Sequence, residues 1–187
     1  MMKKNLMQVS LAALLMSSVF AGCQKDKGET NEEEVITTMI LRLTPAGSST
    51  PLVYEFSDPD GPGGATPTTD DIDLSPNTTY TASVQLLNET ATPVEDITLE
   101  VEEESHAHRF YYQPSAANLT VSNLDNDTNG VPLGINSTWT TGAAGTGQVK
   151  VTLRHYPAEP PNKSADDQVD SAKSGTDVEA TFNVIVN

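Results

Sequence analysis

The sequence is short of several things, and each shortage excludes a class. Among 187 residues there is one cysteine, so no intrachain disulfide can form and a disulfide-stapled scaffold is excluded. Basic residues number 10 against 26 acidic ones, a formal charge of −16. A chain so charged repels phosphate backbones, so nucleic acid is not an expected partner. The longest apolar run, Leu6 to Phe20, falls short of the roughly 20 residues a membrane-crossing helix needs. Gly-x-Ser-x-Gly, His-Glu-x-x-His and a glycine loop between strand and helix are all missing. Catalysis is therefore not expected.

What the sequence does contain begins with Lys3 and Lys4, then the apolar run, then Phe20-Ala21-Gly22-Cys23. A basic start, a short apolar stretch and small residues form a signal-peptide layout. The last four residues resemble the lipobox of bacterial lipoprotein precursors. That resemblance implies cleavage after residue 22, a diacylglycerol on the Cys23 sulfur, and attachment to a membrane through acyl chains, each buried methylene adding about 0.8 kcal/mol. The remaining 165 residues hold 8 basic against 26 acidic side chains. Residues 23–34 read as a lipidated acidic tether, too polar to bury anything. Gln24-Lys25-Asp26 resembles the signal that carries some lipoproteins to the outer face of the outer membrane. The cell surface is the expected location, with the periplasmic face as the alternative.

Residues 35–187 suit one domain. Two-residue alternation is its strongest pattern: Tyr80, Ala82, Val84 and Leu86 share one face opposite Thr81, Ser83 and Gln85. The same pattern returns at Leu52-Tyr54-Phe56, at Val149-Val151-Leu153 and from Val178 to Val186. Val35–Leu43, His108–Tyr112, Leu119–Leu124 and Ile135–Thr141 bring the expectation to about eight strands, separated by Thr, Asn, Gly and Pro clusters. The fold expected is mainly β, an antiparallel immunoglobulin-like β-sandwich. One segment dissents. Thr92-Pro93-Val94-Glu95 matches a capping box with proline at the first helical position, and Val94, Ile97 and Val101 follow at helical spacing. A short helix from Pro93 to about Glu104 is expected, although Ile97, Leu99 and Val101 also alternate like a strand.

Two resemblances add to this. The stretch LSPNTTYTASV, Leu74–Val84, is similar to the corner of fibronectin type III domains, which implies that the Tyr80 hydroxyl bonds back to the backbone. The blocks EEEVITTMILRLTP, LLNETATPVEDITLEVEEE and TGAAGTGQVKVTLRHYP resemble uncharacterised small acidic bacterial lipoproteins. Those proteins look like companions of outer-membrane TonB-dependent receptors, which implies such a receptor as a partner. Some bear the label type 1 periplasmic binding domain, a large two-lobed α/β fold that this chain is too short to form.

Candidate site residues fall into two groups. By strand parity His108 shares a face with Phe110 and Tyr112, and His155 shares one with Val149, Val151 and Leu153. If the two strands pair antiparallel, His108 and His155 meet at one end. His106, with Glu103 or Glu104, could then complete a zinc or copper site. Structural histidines at a strand end are the competing reading. The second group, Asp125, Asp127 and Asn129 in DNDTNG, fits the opening of a calcium loop, but Asn136 stands where a bidentate Glu belongs. A hairpin turn explains the same residues.

The segment Pro157–Thr176 has Val169 as its only large apolar residue. Its length and polarity predict a projecting arm, and replacing Asn162–Gly175 with a Gly-Asn turn is expected to leave the thermal midpoint nearly unchanged. The expected function is that of a lipid-anchored, non-catalytic binding or accessory protein. The alternative is a metal-capturing lipoprotein using His106, His108 and His155.

Overall fold

The computed structural model describes residues 34–61, 63–115 and 118–187; the expected signal segment, Cys23 and the expected tether up to residue 33 lie outside them. Strand β1 (Thr38–Pro45) turns back through β2 (Leu52–Ser57). Two short strands follow, β3 (Thr68–Thr69) and β4 (Ile72–Leu74), then the long β5 (Thr79–Asn88). The two-residue β6 (Glu95–Asp96) and helix α1 (Thr98–Glu103) lead to β7 (His108–Ser115). Strands β8 (Leu119–Ser122), β9 (Asn136–Thr141), β10 (Gly145–His155) and β11 (Gly175–Val186) complete the chain. All eight expected strands are present, and the three additional ones are only two or three residues long.

The strands form two sheets. One runs β3-β2-β1-β5-β9-β8, with β6 also on β5; the other runs β4-β11-β10-β7. Every pairing is antiparallel except β4 with β11. Without the edge additions, β1-β5-β9-β8 faces β11-β10-β7, which is the A-B-E-D and G-F-C arrangement of an immunoglobulin sandwich. Among these seven strands the chain crosses between sheets after β5, β7 and β9, as that topology requires.

Alternation builds the core. In β11 Val178, Ala180, Phe182, Val184 and Val186 are buried, with exposed or half-buried residues between them; in β10 Val149, Val151 and Leu153 are buried, and so is Thr152 between the last two. The apolar ones meet Met39, Leu41 and Leu43 of β1 and Ala82, Val84 and Leu86 of β5 in one apolar cluster. Trp139 is wholly buried opposite Tyr80 in the β5–β9 register and sits edge-on to Tyr112, with ring centroids 5.9 Å apart. Burying each such side chain contributes about 1.5–3 kcal/mol.

The Tyr80 hydroxyl accepts a hydrogen bond from the Ser75 backbone N–H at 2.8 Å, between β4 and β5. In immunoglobulin domains the tyrosine corner lies elsewhere, where the fifth strand leads into the sixth. Tyr80→Phe keeps the ring but leaves the Ser75 donor unsatisfied. Urea unfolding should show a loss of about 1–2 kcal/mol; a loss below a few tenths would mean that water replaces the hydroxyl without cost.

Helix α1 corrects one expectation. It begins at Thr98, five residues after Pro93, because Glu95 and Asp96 are drawn into an extended pairing with Asn88 and Leu87 of β5. Thr92 therefore does not cap it; the Thr98 N–H donates to Asp96 Oδ1 at 3.1 Å. The ambiguous segment is strand first and helix second, and Val101 buries while Leu99 stays exposed.

Candidate functional site

In this topology the connections β5–β7, β8–β9 and β10–β11 gather at one end of the sandwich, the end that carries the recognition loops of variable domains. Residues 89–107, 123–135 and 156–174 form them. Gly134 lets the second loop approach β7: its φ is +89°, and a Cβ there would lie 2.9 Å from Leu124 Cδ2 and 3.1 Å from Phe110 Cβ. The Phe110 N–H donates to the Leu133 carbonyl at 2.7 Å.

The third loop is not a projecting arm. Lys163 enters the interior, its side chain 2% exposed, and its ammonium meets Asp127 Oδ2 at 2.8 Å, a carboxylate itself 1% exposed. The same ammonium donates to the carbonyls of Ser105, His108 and Pro132. One cation thus joins all three loops. Burial pushes the Lys163 pKa down while the carboxylate opposes it. Burial alone would raise Asp127, but Lys163 and the N–H groups of Val131 and Asn129 outweigh it and hold the carboxyl below its ordinary value. Arg109 adds hydrogen bonds to the carbonyls of Ser164, Ala165 and Asp167, and Arg154 to those of Ser171 and Ser174. A polar segment is held by charge-assisted bonds where the expectation considered only apolar burial.

The calcium-like residues are engaged in the turn. Asp125 Oδ1 accepts the N–H groups of Gly134 and Asn136, and Asp127 Oδ1 accepts those of Asn129 and Val131. With Oδ2 of Asp127 on Lys163, a cation there would have to displace an ammonium. Asn129 contributes its backbone N–H to the turn.

At the same end His108 and His155 face each other as the last cross-strand pair of β7 and β10. Their rings stack with centroids 4.5 Å apart and planes inclined by 30°. His108 is fully buried and His155 half-buried. Glu104, capping α1, brings a carboxylate to them: one ligand atom from each of Glu104, His108 and His155 lies within 4.8 Å of the others. His106 is exposed and is not among the three. The acid that sequence reasoning paired with His106 takes its place.

Asp177 was missed. Leu153 pairs with Val178 and Arg154 with Thr176, so Asp177 is the extra residue of a β-bulge. A bulge re-aims a side chain. The Asp177 side chain, outward by strict alternation, is 1% exposed with Oδ2 3.8 Å from His108 Nε2. Only an alternation broken by a charged residue just before Val178 could have hinted at it.

Burial first, then the adjacent His155, lowers the His108 pKa to about 4. Burial lowers His155 too. Both imidazoles are neutral at pH 7. Glu34, where the described chain begins, is pushed up to about 7 by burial and by the charges of Glu100 and Glu104.

These features define a two-sheet, immunoglobulin-like β-sandwich with three polar loops joined at one end. No family model, curated protein or solved structure matches the chain. No helix among the described residues is long and apolar enough to cross a membrane.

Proposed function

We propose that this protein is a lipid-anchored, non-catalytic binding domain of the outer membrane, displayed on the cell surface, that acts as companion to a TonB-dependent uptake receptor and contacts it through the three-loop end. The observation carrying this reading is the buried Lys163–Asp127 pair, which turns three separate loops into one preorganised surface. Glu100, Glu102, Glu103, Glu104, Asp166 and Asp170 are exposed there, so the face is anionic and suits a basic partner surface. Glu34 lies near Glu100 and Glu104, so the tether joins the domain at this same end. A lipid on Cys23, joined to this end through residues 24–33, would keep it within reach of a receptor in the same membrane.

The test is made in cells. Cys23→Ala should leave the membrane fraction, or keep its signal segment, and protease added to intact cells should remove the parent domain. A photo-crosslinking residue at Asp166 should trap an integral membrane protein, whereas one at Thr50, in the turn between β1 and β2, should not. Unchanged membrane partition of Cys23→Ala would refute the anchor, and equal crosslinking from both positions would refute the loop end as the contact surface.

A further inference from the structure

From the geometry we infer that Glu104, His108 and His155 form a binding site for one divalent transition-metal ion of the zinc or copper(II) class. This goes beyond a protein-contact surface and would stand without one. Three observations support it.

First, the donor set is two imidazole nitrogens and one carboxylate oxygen, all within 4.8 Å of one another. Imidazole suits zinc and copper(II), whereas calcium prefers all-oxygen sites. Around a tetrahedral ion bonded at about 2.1 Å, neighbouring donors stand about 3.4 Å apart, so closure asks for an adjustment of about an ångström. Glu104 is exposed and His155 half-buried, so both side chains have room to make it.

Second, the polar atoms of the two rings are incompletely used. His108 is 0% exposed, and its Nε2 has no hydrogen-bond partner among the described residues; nor has Nδ1 of His155. Buried ring nitrogens are ordinarily bonded, and an orphan one needs a reason. A metal ion supplies it. His108 Nδ1 lies 3.2 Å from the Glu104 carbonyl. That contact fixes the tautomer with hydrogen on Nδ1, as the outer hydrogen bond of a metal-bound histidine does, and leaves Nε2 with a lone pair.

Third, the framework is rigid where a site needs it. His108 and His155 are a register pair between the edge strand β7 and its inner neighbour β10, and Glu104 is the C-cap of α1. Sites on such elements hold their geometry better than sites on free loops. The carboxyl group of Asp177 lies beside the donors, its Oδ2 3.8 Å from His108 Nε2.

The experiment uses the full chain, extracted in detergent and freed of metal with a chelator, at pH 7.5. Zinc chloride followed by calorimetry should bind with one tight equivalent and raise the thermal midpoint, and excess calcium should not displace it. Cobalt(II) should give visible absorption of the intensity that four-coordinate nitrogen and oxygen sites show. Glu104→Gln, an exposed change that leaves packing alone, should weaken zinc at least tenfold, and His155→Ala at least a hundredfold. His155→Gln is the second variant should the alanine change disturb folding, and circular dichroism checks each protein. His106→Ala should bind like the parent. Absence of a tight equivalent, parental affinity in folded Glu104→Gln and His155→Gln, or loss of binding in His106→Ala would each overturn the site.

Discussion

Lys163→Met should cost about 3–5 kcal/mol of unfolding free energy at pH 7, the range for breaking a buried ion pair by removing one partner. The methionine fills much of the same space, so the loss reports charge and hydrogen bonding rather than a cavity. It leaves the Asp127 carboxylate, 1% exposed, without its counter-ion, and the carbonyls of Ser105, His108 and Pro132 without their shared donor. Adding Asp127→Asn should recover part of the loss. The amide keeps an oxygen for the N–H groups of Asn129 and Val131 and carries no charge to strand. Replacing residues 162–175 with a Gly-Asn turn should cost at least as much as Lys163→Met, because Arg109 also loses acceptors in the loop. Urea titrations decide the matter. A loss below about 1 kcal/mol for Lys163→Met would put the pair in the solvated class, whose median worth is about 0–1 kcal/mol.

Acid should act on the metal-free protein in two opposed steps. His108 has a folded pKa of about 4 against an ordinary value of 6.5. Between those values the unfolded chain takes up a proton that the folded one refuses. Its contribution is present above pH 6.5 and lost as pH falls towards 4, by about 3 kcal/mol at 1.36 kcal/mol per pKa unit. Glu34 works the other way. Its folded pKa of about 7 lies above the ordinary 4.5, so the folded chain binds the proton first and stability rises as pH falls from 7 to 4.5. The parent should therefore gain slightly from pH 8 to 6.5, change little down to 4.5, and lose stability below it. Glu34→Gln removes the compensating step, so it should exceed the parent at pH 8 and fall steadily from pH 6.5. Urea midpoints with chelator present, at half-unit intervals, test this. Parallel profiles for the two proteins would show that Glu34 is an ordinary solvated acid.

The two results concern groups of very different legibility. Alternation is a local property with a period of two residues, so the eight longer strands and their inward faces can be read from runs such as Val149-Val151-Leu153. The facing of His108 and His155 needs only parity and antiparallel pairing, and it too is legible. The exchange of His106 for Glu104 is not. It depends on α1 starting at Thr98, and that start depends on Glu95 and Asp96 pairing with β5.

By itself the sequence determined that the domain is mainly β, which faces of its long strands are buried, and that its one cysteine follows an apolar run. Tertiary structure alone decided how the strands are ordered in two sheets, where the β10–β11 bulge falls, and that Lys163 and Asp127 share the interior. The reason is physical. Hydrophobic periodicity reports burial of apolar side chains within a segment, whereas a buried charge is stabilised by partners brought from distant segments, and neither Lys163 in its Pro- and Asp-rich stretch nor Asp127 in its turn sequence differs locally from a solvated residue. A bulge likewise exists only between two strands in register, so the inward turn of Asp177 has no meaning until β10 and β11 are paired.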